Sequence, residues 1–472
     1  MMKRSHNIAL PLMLLAGSFF TASSYAADNT DSDVLARGKY IATASDCAAC
    51  HTNKGSKDFA GGLKIISPVG TIIASNITPS KTAGIGDYTE QQFADAVRKG
   101  IRRDGANLYP AMPYTAYSVM TDEDIHALYE YFMHGVTPVD VKAPETALPF
   151  PMNIRMSMKA WNLLFLNNQP FTAEQSQSAE WNRGKYLVDG AAHCSTCHTP
   201  RGPLMEEEGS KALSGGLVGA WYAPNITSDA ESGIGTWSKA DLVQYLRSGN
   251  LPGKAQAAGS MGEAVEHSFQ HLSDADLNAI ATYIKTVPAV STPENKGSRF
   301  NQGTPGTTLG KLRGLSQADI TAKNLEGLGL FQGNCASCHE PLGEGSKDKY
   351  YPSLFNNSVT GAANSNNLIA TILNGVNRTT KDGQVFMPGF GDHPNDINNL
   401  TNEQVAQLAN YVITTYGKTA KPVTPEDVAI VRQGGPVSNL VTLARVGMGV
   451  GAAVVVIFLL WLFARRTKKP RA

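Results

Sequence analysis

The chain has 472 residues and nearly balanced charge, with 41 lysines and arginines against 40 aspartates and glutamates. Its length suits about two to four domains. A composition of 17% charged and 42% hydrophobic residues excludes a disordered chain. The small net charge of +1 gives no support for a nucleic-acid-binding protein, which would carry a basic excess. Six cysteines are too few for a scaffold built on disulfides.

The N-terminus predicts a secretory signal peptide over residues 1–26. A basic start and the apolar run Ile8–Phe20 are followed by the small residues Ser24 and Ala26. This run is too short to cross a hydrocarbon layer of about 30 Å, which argues against an N-terminal membrane anchor. We therefore expect cleavage after Ala26 and export of the remaining chain.

All six cysteines belong to three copies of the pentapeptide Cys-x-x-Cys-His, which start at residues 47, 194 and 335. The copies are separated by 147 and 141 residues, a spacing that suits one domain each rather than a solenoid. The first two copies also share Arg-Gly-Lys-Tyr, at 37–40 and 183–186, and Asn-Ile-Thr, at 76–78 and 225–227. The third copy is shorter and more diverged.

Helix signals recur at matching places in the repeats. Each repeat ends in an amphipathic segment that follows a capping hydroxyl, at Thr121, Ser273 and Thr401. The first two repeats have an earlier helix between a cap and a glycine, at 89–100 and 238–249. No stretch has sustained period-two alternation. The sequence therefore predicts an all-α body of three tandem domains.

The same signals give expected boundaries. The first domain covers 33–137, the second 181–287 and the third 326–417. Linkers occupy 138–180, 288–325 and 418–440, and the first linker contains an apolar stretch, Met152–Leu166.

A transmembrane helix is predicted at 441–464. Its uncharged core, Val446–Phe463, is long enough to span about 27 Å, and flanking turns can complete the crossing. The basic tail 465–472 follows at once and indicates a cytoplasmic C-terminus, which a buried core helix would not explain. Together with the signal peptide, this predicts a single-pass protein of the bacterial inner membrane whose domains face the periplasm.

The pentapeptide indicates covalent attachment of haem. Its two thiols can add to the two vinyl groups of a haem, and the adjacent histidine can then bind the iron. A thioredoxin-like pair is one alternative; a zinc site is another, but it would need a second paired motif in the same domain. We expect three covalently bound haem c groups, attached at Cys47, Cys50, Cys194, Cys197, Cys335 and Cys338 and ligated by His51, His198 and His339.

The second axial ligand of each iron is expected to be methionine, with histidine as the main alternative. Met387 is the only methionine between Phe331 and Gly417, and Met112 lies in a similar loop rich in proline and aromatic residues. Met261 follows His198 by 63 residues, much as Met112 follows His51 by 61.

Several residues compete with these ligand candidates. Met205 lies too close to the second pentapeptide to reach around the ring, and His267 and His271 are the main rivals of Met261. Burial as core filler is the alternative for any methionine. The two Asn-Ile-Thr segments match a glycosylation signal, but their recurrence suggests a turn that forms hydrogen bonds near the haem edge.

With these motifs, the sequence from Asp33 to Tyr416 resembles the membrane-bound triheme cytochrome c subunit of bacterial alcohol dehydrogenase and gluconate 2-dehydrogenase complexes. The resemblance rests on Arg-Gly-Lys-Tyr, the three pentapeptides, Tyr-Pro-Ala-Met-Pro-Tyr at 109–114, Ser260-Met261 and Phe386-Met387-Pro388. It implies three cytochrome c-like domains and the axial pairs His51/Met112, His198/Met261 and His339/Met387.

The resemblance also implies a role. Such a subunit takes electrons from a catalytic flavoprotein or quinoprotein that oxidises an alcohol, sugar or sugar acid, and passes them through three haems to ubiquinone. The expected partners are this dehydrogenase subunit, ubiquinone and the membrane, with a small third subunit as an optional addition. With its single C-terminal helix, the chain resembles the cytochrome subunits of flavoprotein gluconate or fructose dehydrogenases more than those of pyrroloquinoline-quinone dehydrogenases.

Two other functions remain open on the sequence alone. A multihaem redox enzyme would need one haem with an open iron position, most simply at Met261. An oxidase-associated cytochrome c would co-purify with an oxidase core instead of a dehydrogenase. No phosphate-binding loop, nucleophile elbow or paired-carboxylate motif suggests a further active site, so no catalytic residue is expected.

Overall fold

The computed structural model describes residues 31–292, 297–307, 309–394, 396–417 and 421–467. The predicted signal peptide and the final residues of the basic tail lie outside these ranges. Helices dominate the described chain and are followed by one long C-terminal helix, so the expected helical class is confirmed.

The first domain begins with helix Asp31–Ala44, which leads into the pentapeptide helix Cys47–His51. Its later helices are Glu90–Lys99, Tyr114–Tyr117 and Asp122–Glu130, the last extended by a π-helical turn at Tyr131–Gly135. An antiparallel hairpin joins strands Lys64–Ser67 and Gly70–Ile73. The linker to the second domain contains helix Ser157–Phe165, called the linker helix below.

The second domain repeats this order with one hairpin more. Its first helix, Ala179–Tyr186, continues into a π-helical turn at Leu187–Ala191, and the pentapeptide helix is Ser195–His198. The later helices are Lys239–Ser248, Gly259–His267 and Asp274–Ile284, with short 3-10 turns at Gly209–Lys211 and Phe269–His271. Two hairpins pair Gly216–Val218 with Trp221–Ala223 and Asn250–Leu251 with Ala255–Gln256.

The third domain follows a 3-10 turn at Leu309–Leu312 and a short helix, Gln317–Ala322. Its helices are Glu326–Asn334, Ala336–His339, Asn366–Asn374 and Asn402–Tyr416, and its hairpin pairs Val376–Thr380 with Gly383–Met387. Helix Pro425–Arg432 and the C-terminal helix Leu440–Thr467 complete the described chain. The sequence does not predict the hairpins, because strands of two to five residues are too short to display alternation.

The predicted helix caps are confirmed. The capping hydroxyl of each last helix accepts a hydrogen bond from the main-chain nitrogen three residues on, at Thr121, Ser273 and Thr401. The middle helices of the first two domains end at Gly100 and Gly249, which adopt the left-handed backbone with φ of 62° and 68°.

A close crossing of the first and last helices organises every domain. A Cβ atom built on Gly38 would lie 1.9 Å from the carbonyl oxygen of Ala127, and one on Gly184 would lie 2.0 Å from that of Ala279. The third domain repeats the contact at Gly327, 2.5 Å from the carbonyl oxygen of Gln407. Only glycine allows the two helix backbones to approach so closely.

The arginines of the two Arg-Gly-Lys-Tyr segments tie each first helix to the last helix of its own domain. Arg37 Nε donates to Asp124 Oδ1 at 2.7 Å. In the second domain, Arg183 donates to both carboxylate oxygens of Asp276, at 2.8 and 2.7 Å. Each aspartate lies three residues after the cap of its last helix, so the ion pair also holds the start of that helix.

The tyrosines of the same segments join the two domains to each other. The hydroxyl of Tyr40 in the first domain donates to Asp276 Oδ2 at 2.6 Å. The hydroxyl of Tyr186 in the second domain donates to Asp124 in return. The repeated sequence therefore forms an interface with approximate twofold symmetry, in which each aspartate serves both domains.

The first two domains share one hydrophobic core. Ile41 and Leu128 of the first domain belong to the same buried cluster as Leu187 and Leu277 of the second. The third domain has a separate core, which includes valines of the helix Pro425–Arg432 that follows it. The first two repeats are therefore fused, whereas the third is a distinct unit.

Polar contacts attach the third domain to the second. Arg378, on the hairpin of the third domain, is only 1% exposed. Its guanidinium donates to the carbonyl oxygen of Ala257 and, at 3.1 Å, to Gln256 Oε1. Asn367 and the main chain of Tyr222 exchange two further hydrogen bonds of 2.8 Å across the same boundary.

Beyond its first turns, the C-terminal helix is exposed along its described length. Residues Leu440–Arg465 form a segment of 26 residues whose length and apolar composition suit a membrane crossing, and its apolar window is fully exposed. The prediction of one long apolar helix at this end of the chain is confirmed.

The interface between the first two domains yields a prediction. Burial alone would raise the pKa of Asp276, but the hydrogen bonds from Arg183 and Tyr40 outweigh it and hold the pKa below its usual value. Tyr40→Phe should lower the stability of the fused pair by about 1–2 kcal/mol, because a hydrogen bond to a charged group is lost. Thermal unfolding of the detergent-solubilised full-length protein measures this.

The loss should also depend on pH. A carboxylate with a lowered pKa stabilises the fold above its usual pKa of about 3.9, and this stabilisation disappears as the pH falls through the lower folded-state value. Tyr129→Phe is the matched control, because the hydroxyl of Tyr129 donates to the main chain of Tyr88 within one domain. A Tyr40→Phe deficit that persists unchanged in acid would contradict this assignment.

Candidate haem sites

The pentapeptide cysteines are partly buried and form no disulfide in the described chain. Burial raises the pKa of Cys47, Cys194 and Cys335 to about 12 in each case. A thioredoxin-like cysteine would instead have a lowered pKa. The environment therefore argues against a dithiol redox pair at these positions and suits an apolar cofactor.

The three pentapeptide histidines are fixed in one common way. The Nδ1 atom of each ring lies within hydrogen-bond distance of a main-chain carbonyl oxygen, 2.7 Å for His51 and Ser75, 2.7 Å for His198 and Pro224, and 2.9 Å for His339 and Pro352. A carbonyl only accepts, so Nδ1 must carry the proton and Nε2 is free to bind a metal.

Burial keeps these imidazoles neutral. It lowers the pKa of His51 and His339, and it lowers the pKa of His198 to about 4 despite the hydrogen bond to Pro224. A neutral imidazole with a free Nε2 is the form that ligates iron. All three histidines thus have the tautomer and protonation state that an axial ligand needs.

The Asn-Ile-Thr segments hold the carbonyl groups that orient two of these histidines. Asn225 follows Pro224, and its side chain accepts hydrogen bonds from the main chain and hydroxyl of Thr227 at 2.8 and 2.7 Å. It also donates to Val290 at 2.7 Å. The equivalent Asn76 forms the same turn. Both asparagines are buried, so the structure favours the predicted turn over a glycosylation site.

A cavity of about 960 Å³ adjoins the second pentapeptide. Its walls include Cys194, Cys197, His198 and Met261, so the predicted attachment and ligand residues of the second haem line one space. The volume lies at the upper end of the range of about 300–1,000 Å³ for cofactor and ligand pockets. The cavity is therefore large enough for a sizeable flat cofactor.

Two polar side chains of this cavity each have a buried nitrogen atom without a hydrogen-bond partner among the described residues. Arg299 donates through its terminal nitrogens to the carbonyl oxygens of Ser232 and Asn225, but its buried Nε forms no hydrogen bond. The indole nitrogen of Trp237 is likewise buried and unpaired. Unpaired buried donors beside an apolar cavity suit a cofactor with carboxylate side chains, such as haem, so the residues present fit this group.

Arg299 is a functional candidate that the sequence analysis missed. It lies in the stretch 288–325, which the sequence marks only as a linker, yet it is 6% exposed and burial lowers its pKa to about 10. The stretch also contains Arg313, three lysines and several other apolar residues, so neither Arg299 nor the neighbouring Phe300 gives a local signal.

Met112 and Met387 lie partly buried against the cores of the first and third domains. Met112 precedes the short helix Tyr114–Tyr117, in the loop that the sequence predicts. Met387 is the last residue of a hairpin strand instead of a loop residue, and its partner in the hairpin is Val376. Both methionines therefore remain candidate ligands of the haem iron.

Met261 is better placed than its rivals. It lies in the first turn of helix Gly259–His267 and lines the cavity together with His198. His267 and His271 are exposed and do not line this cavity. The Nε2 atom of His271 instead lies 3.1 Å from the carbonyl oxygen of Glu266.

The first two pentapeptides approach each other across the shared core. Burial raises the pKa of Cys50 to about 11, and Asp46, Glu263 and Cys197 add to this effect as neighbouring groups. Between the two sites, the ring of Tyr117 contacts that of His193 edge-on, with centroids 5.7 Å apart. His193 also lines the cavity of the second site. The fused core thus brings two attachment sites together.

Three such pentapeptide sites in small helical domains define a multihaem c-type cytochrome. A family model described as cytochrome c matches residues 35–135, 182–288 and 325–415, one match for each domain. The chain therefore belongs to the cytochrome c family, and three cytochrome c domains with three haem c groups are confirmed.

Three relatives show which kind of cytochrome c this chain is similar to. The chain is 46% identical to the fructose dehydrogenase cytochrome subunit of Gluconobacter japonicus, with 92% of each chain covered. It is 37% identical to the cytochrome c subunit of alcohol dehydrogenase (quinone) of Gluconobacter oxydans, covering 93% of this chain and 90% of that one. It is also 37% identical to the gluconate 2-dehydrogenase cytochrome c subunit of Pantoea cypripedii, covering 89% and 94%.

This chain belongs to the family of dehydrogenase cytochrome c subunits, as the sequence resemblance implied. Such proteins are subunits of larger dehydrogenase complexes.

The turn formed by Asn225 and Thr227 gives a testable prediction. Asn225→Ala should leave the haem attached through Cys194 and Cys197 but loosen the carbonyl of Pro224 that holds His198. A weaker hydrogen bond makes the imidazole a poorer electron donor, so the midpoint potential of one haem should rise. A spectroelectrochemical titration measures the three potentials, and haem staining of a denaturing gel checks attachment.

Asn76→Ala is the matched control. It should shift a different haem by the same mechanism and leave the one affected by Asn225→Ala unchanged. Three unaltered potentials in the Asn225→Ala protein would show that the turn does not tune the histidine.

Proposed function

We propose that this chain is the triheme electron-transfer subunit of a membrane-bound dehydrogenase. It receives electrons from a catalytic subunit that carries flavin or quinone and oxidises an alcohol, sugar or sugar acid, and it delivers them to ubiquinone. The observation that carries the proposal is the 46% identity to a fructose dehydrogenase cytochrome subunit over 92% of both chains, from the haem domains to the C-terminal region.

We assign the axial pairs as His51/Met112, His198/Met261 and His339/Met387. A bound haem c supplies reversible one-electron transfer. The protein's own residues set the conditions for it: paired cysteines attach the ring, and the main-chain carbonyls orient the histidines. Met112, Met261 and Met387 would bind the iron together with these histidines, which would leave no iron position for a substrate.

Arg299 is assigned to the carboxylate side chains of the second haem. Its guanidinium is already oriented by Ser232 and Asn225, and its unpaired Nε is the donor that a carboxylate would accept from. The pairing would offset part of the cost of burying both charges.

The topology follows from the C-terminal helix. We assign Leu440–Arg465 to a single crossing of the bacterial inner membrane, with the basic residues that follow in the cytoplasm. The domains then face the periplasm, where an exported c-type cytochrome would meet its partners. A catalytic flavoprotein or quinoprotein is the proposed principal partner, and a small third subunit is an optional one, as the family resemblance implies.

The assignment of Met261 can be tested directly. Met261→Ala should remove the sulfur-to-iron charge-transfer absorption of one haem in three and produce a high-spin signal from that haem. Met205→Ala is the control, because Met205 also lines the cavity but is not assigned as a ligand. Unchanged absorption in Met261→Ala would show that Met261 binds no iron, so that the second haem has either another ligand or a position open to a substrate.

The function itself is tested on the native complex. The tagged chain, solubilised from membranes in mild detergent, should co-purify with a large dehydrogenase subunit. Fructose, gluconate and ethanol are then tried in turn, and one of them should reduce the haems and a soluble ubiquinone analogue. Cells that lack the gene of the co-purified subunit provide the control. Co-purification with an oxidase core, or haems that no substrate reduces, would contradict the proposal.

A further inference from the structure

The linker helix and the segment before it expose large apolar side chains. Phe150 is 53% exposed, Leu163 86% and Leu164 69%. Scattered exposed apolar residues are ordinary, but a group of them on one short segment marks an interaction surface. None of these residues contributes to a haem site.

This segment is fastened to the haem domains and to the C-terminal helix. Arg445, one turn into the C-terminal helix, donates from Nε to the carbonyl oxygen of Phe150 at 2.9 Å. On the other side, the indole nitrogen of Trp161 donates to the carbonyl oxygen of Leu204 in the second domain at 2.9 Å. Phe150 therefore lies beside the start of the helix assigned to the membrane, and the linker helix lies against the second domain.

Two hairpin tips extend the same surface. Ile66 on the hairpin of the first domain is 66% exposed, and its side chain lies close to Gly434, which shortly precedes the C-terminal helix. Leu217 on the hairpin of the second domain and Val437 line one cavity mouth with Ile66. We call the group around the start of this helix the apolar patch: Ile66, Phe150, Leu163, Leu164, Leu217 and Val437.

The charges around the patch suit a bilayer surface. Between Thr146 and Ala173 the sequence has no acidic residue and two basic ones. Lys159 is exposed, whereas Arg155 is partly buried and donates to the carbonyl oxygen of Asn107 at 2.9 Å. Segments that lie in a membrane interface combine exposed leucine and aromatic residues with arginine and lysine, which meet anionic lipid headgroups. A surface that binds another protein would not in general require a segment without acidic residues.

We propose that the apolar patch is embedded in the lipid interface of the membrane that the C-terminal helix crosses. The proposal rests on the proposed membrane crossing, because continuity with that helix is what identifies lipid as the occupant. The chain then has two membrane contacts, a crossing helix and a patch built from the first two domains and the linker. Together they fix the orientation of the fused pair relative to the bilayer.

This orientation has a consequence for the second haem site. The cavity of about 960 Å³ is lined by Cys194 and His198 and also by the exposed Ile66 and Val437. The exposed residues mark its mouth, so the mouth opens within the patch. A quinone dissolved in the bilayer could then approach the second site without crossing water.

The chemistry of the cysteines makes the test selective. Because all six natural cysteines are used for haem attachment, a cysteine introduced on the surface can be labelled alone with a nitroxide. Leu163→Cys and Leu217→Cys report on the patch, and Val455→Cys, which is 56% exposed, reports on the C-terminal helix. Ile397→Cys, on the third domain and 70% exposed, is the matched aqueous control.

The labelled full-length protein, in its native complex, is reconstituted into vesicles of phosphatidylethanolamine and phosphatidylglycerol. Power saturation then compares the accessibility of each label to oxygen, which concentrates in lipid, and to a water-soluble nickel chelate. We expect the ratio of oxygen to nickel accessibility at Leu163→Cys and Leu217→Cys to exceed that at Ile397→Cys several-fold, approaching the ratio at Val455→Cys.

The other outcomes overturn specific claims. Patch labels as accessible to nickel as Ile397→Cys would mean that the patch lies in water. Patch labels shielded from both reagents would mean that a protein subunit covers the patch. In either case a lipid-accessible Val455→Cys would leave the membrane crossing intact, whereas a water-accessible Val455→Cys would overturn the crossing and with it the proposed topology.

Discussion

The whole body depends on one repeated contact, the crossing of two helix backbones at a glycine. At Gly38, Gly184 and Gly327 any side chain would collide with a carbonyl oxygen of the last helix, so the helices meet at backbone distance. The first helix leads into the pentapeptide, and the last helix packs against the first helix in the core. The crossing therefore fixes the position of the pentapeptide relative to the core, and with it the position of each haem site.

The first two repeats use the same segment for a second purpose. In Arg-Gly-Lys-Tyr the arginine secures the last helix of its own domain, the glycine permits the crossing, and the tyrosine binds the aspartate of the other domain. Because each aspartate accepts from both domains, the ion pair within a domain and the contact between domains reinforce each other. The continuous core beneath them then holds two attachment sites at a fixed separation.

The sequence alone predicts those parts of the structure that depend on residues close together in the chain. Caps at Thr121, Ser273 and Thr401, the pentapeptides, and the apolar C-terminal helix all depend on residues within a few positions of each other. The carbonyl of Pro224 and the side chain of Arg299 could not be predicted, because their partners are 26 or more positions away and any residue supplies a carbonyl. The hairpins were missed because short strands carry too few residues to establish a pattern.

The two kinds of domain boundary have different physical consequences. An apolar core that spans the first two domains excludes water and leaves little freedom for relative motion. The third domain is held by hydrogen bonds of Arg378 and Asn367, which are directional and can be exchanged for water, and by Ala220 and Trp221 of the second domain, which pack against its core. The linker, both hairpin tips and the start of the C-terminal helix all meet on the fused pair. The start of the C-terminal helix therefore lies against the fused pair, while the helix Pro425–Arg432 just before it packs in the core of the third domain, so both halves of the body are tied to this end of the chain.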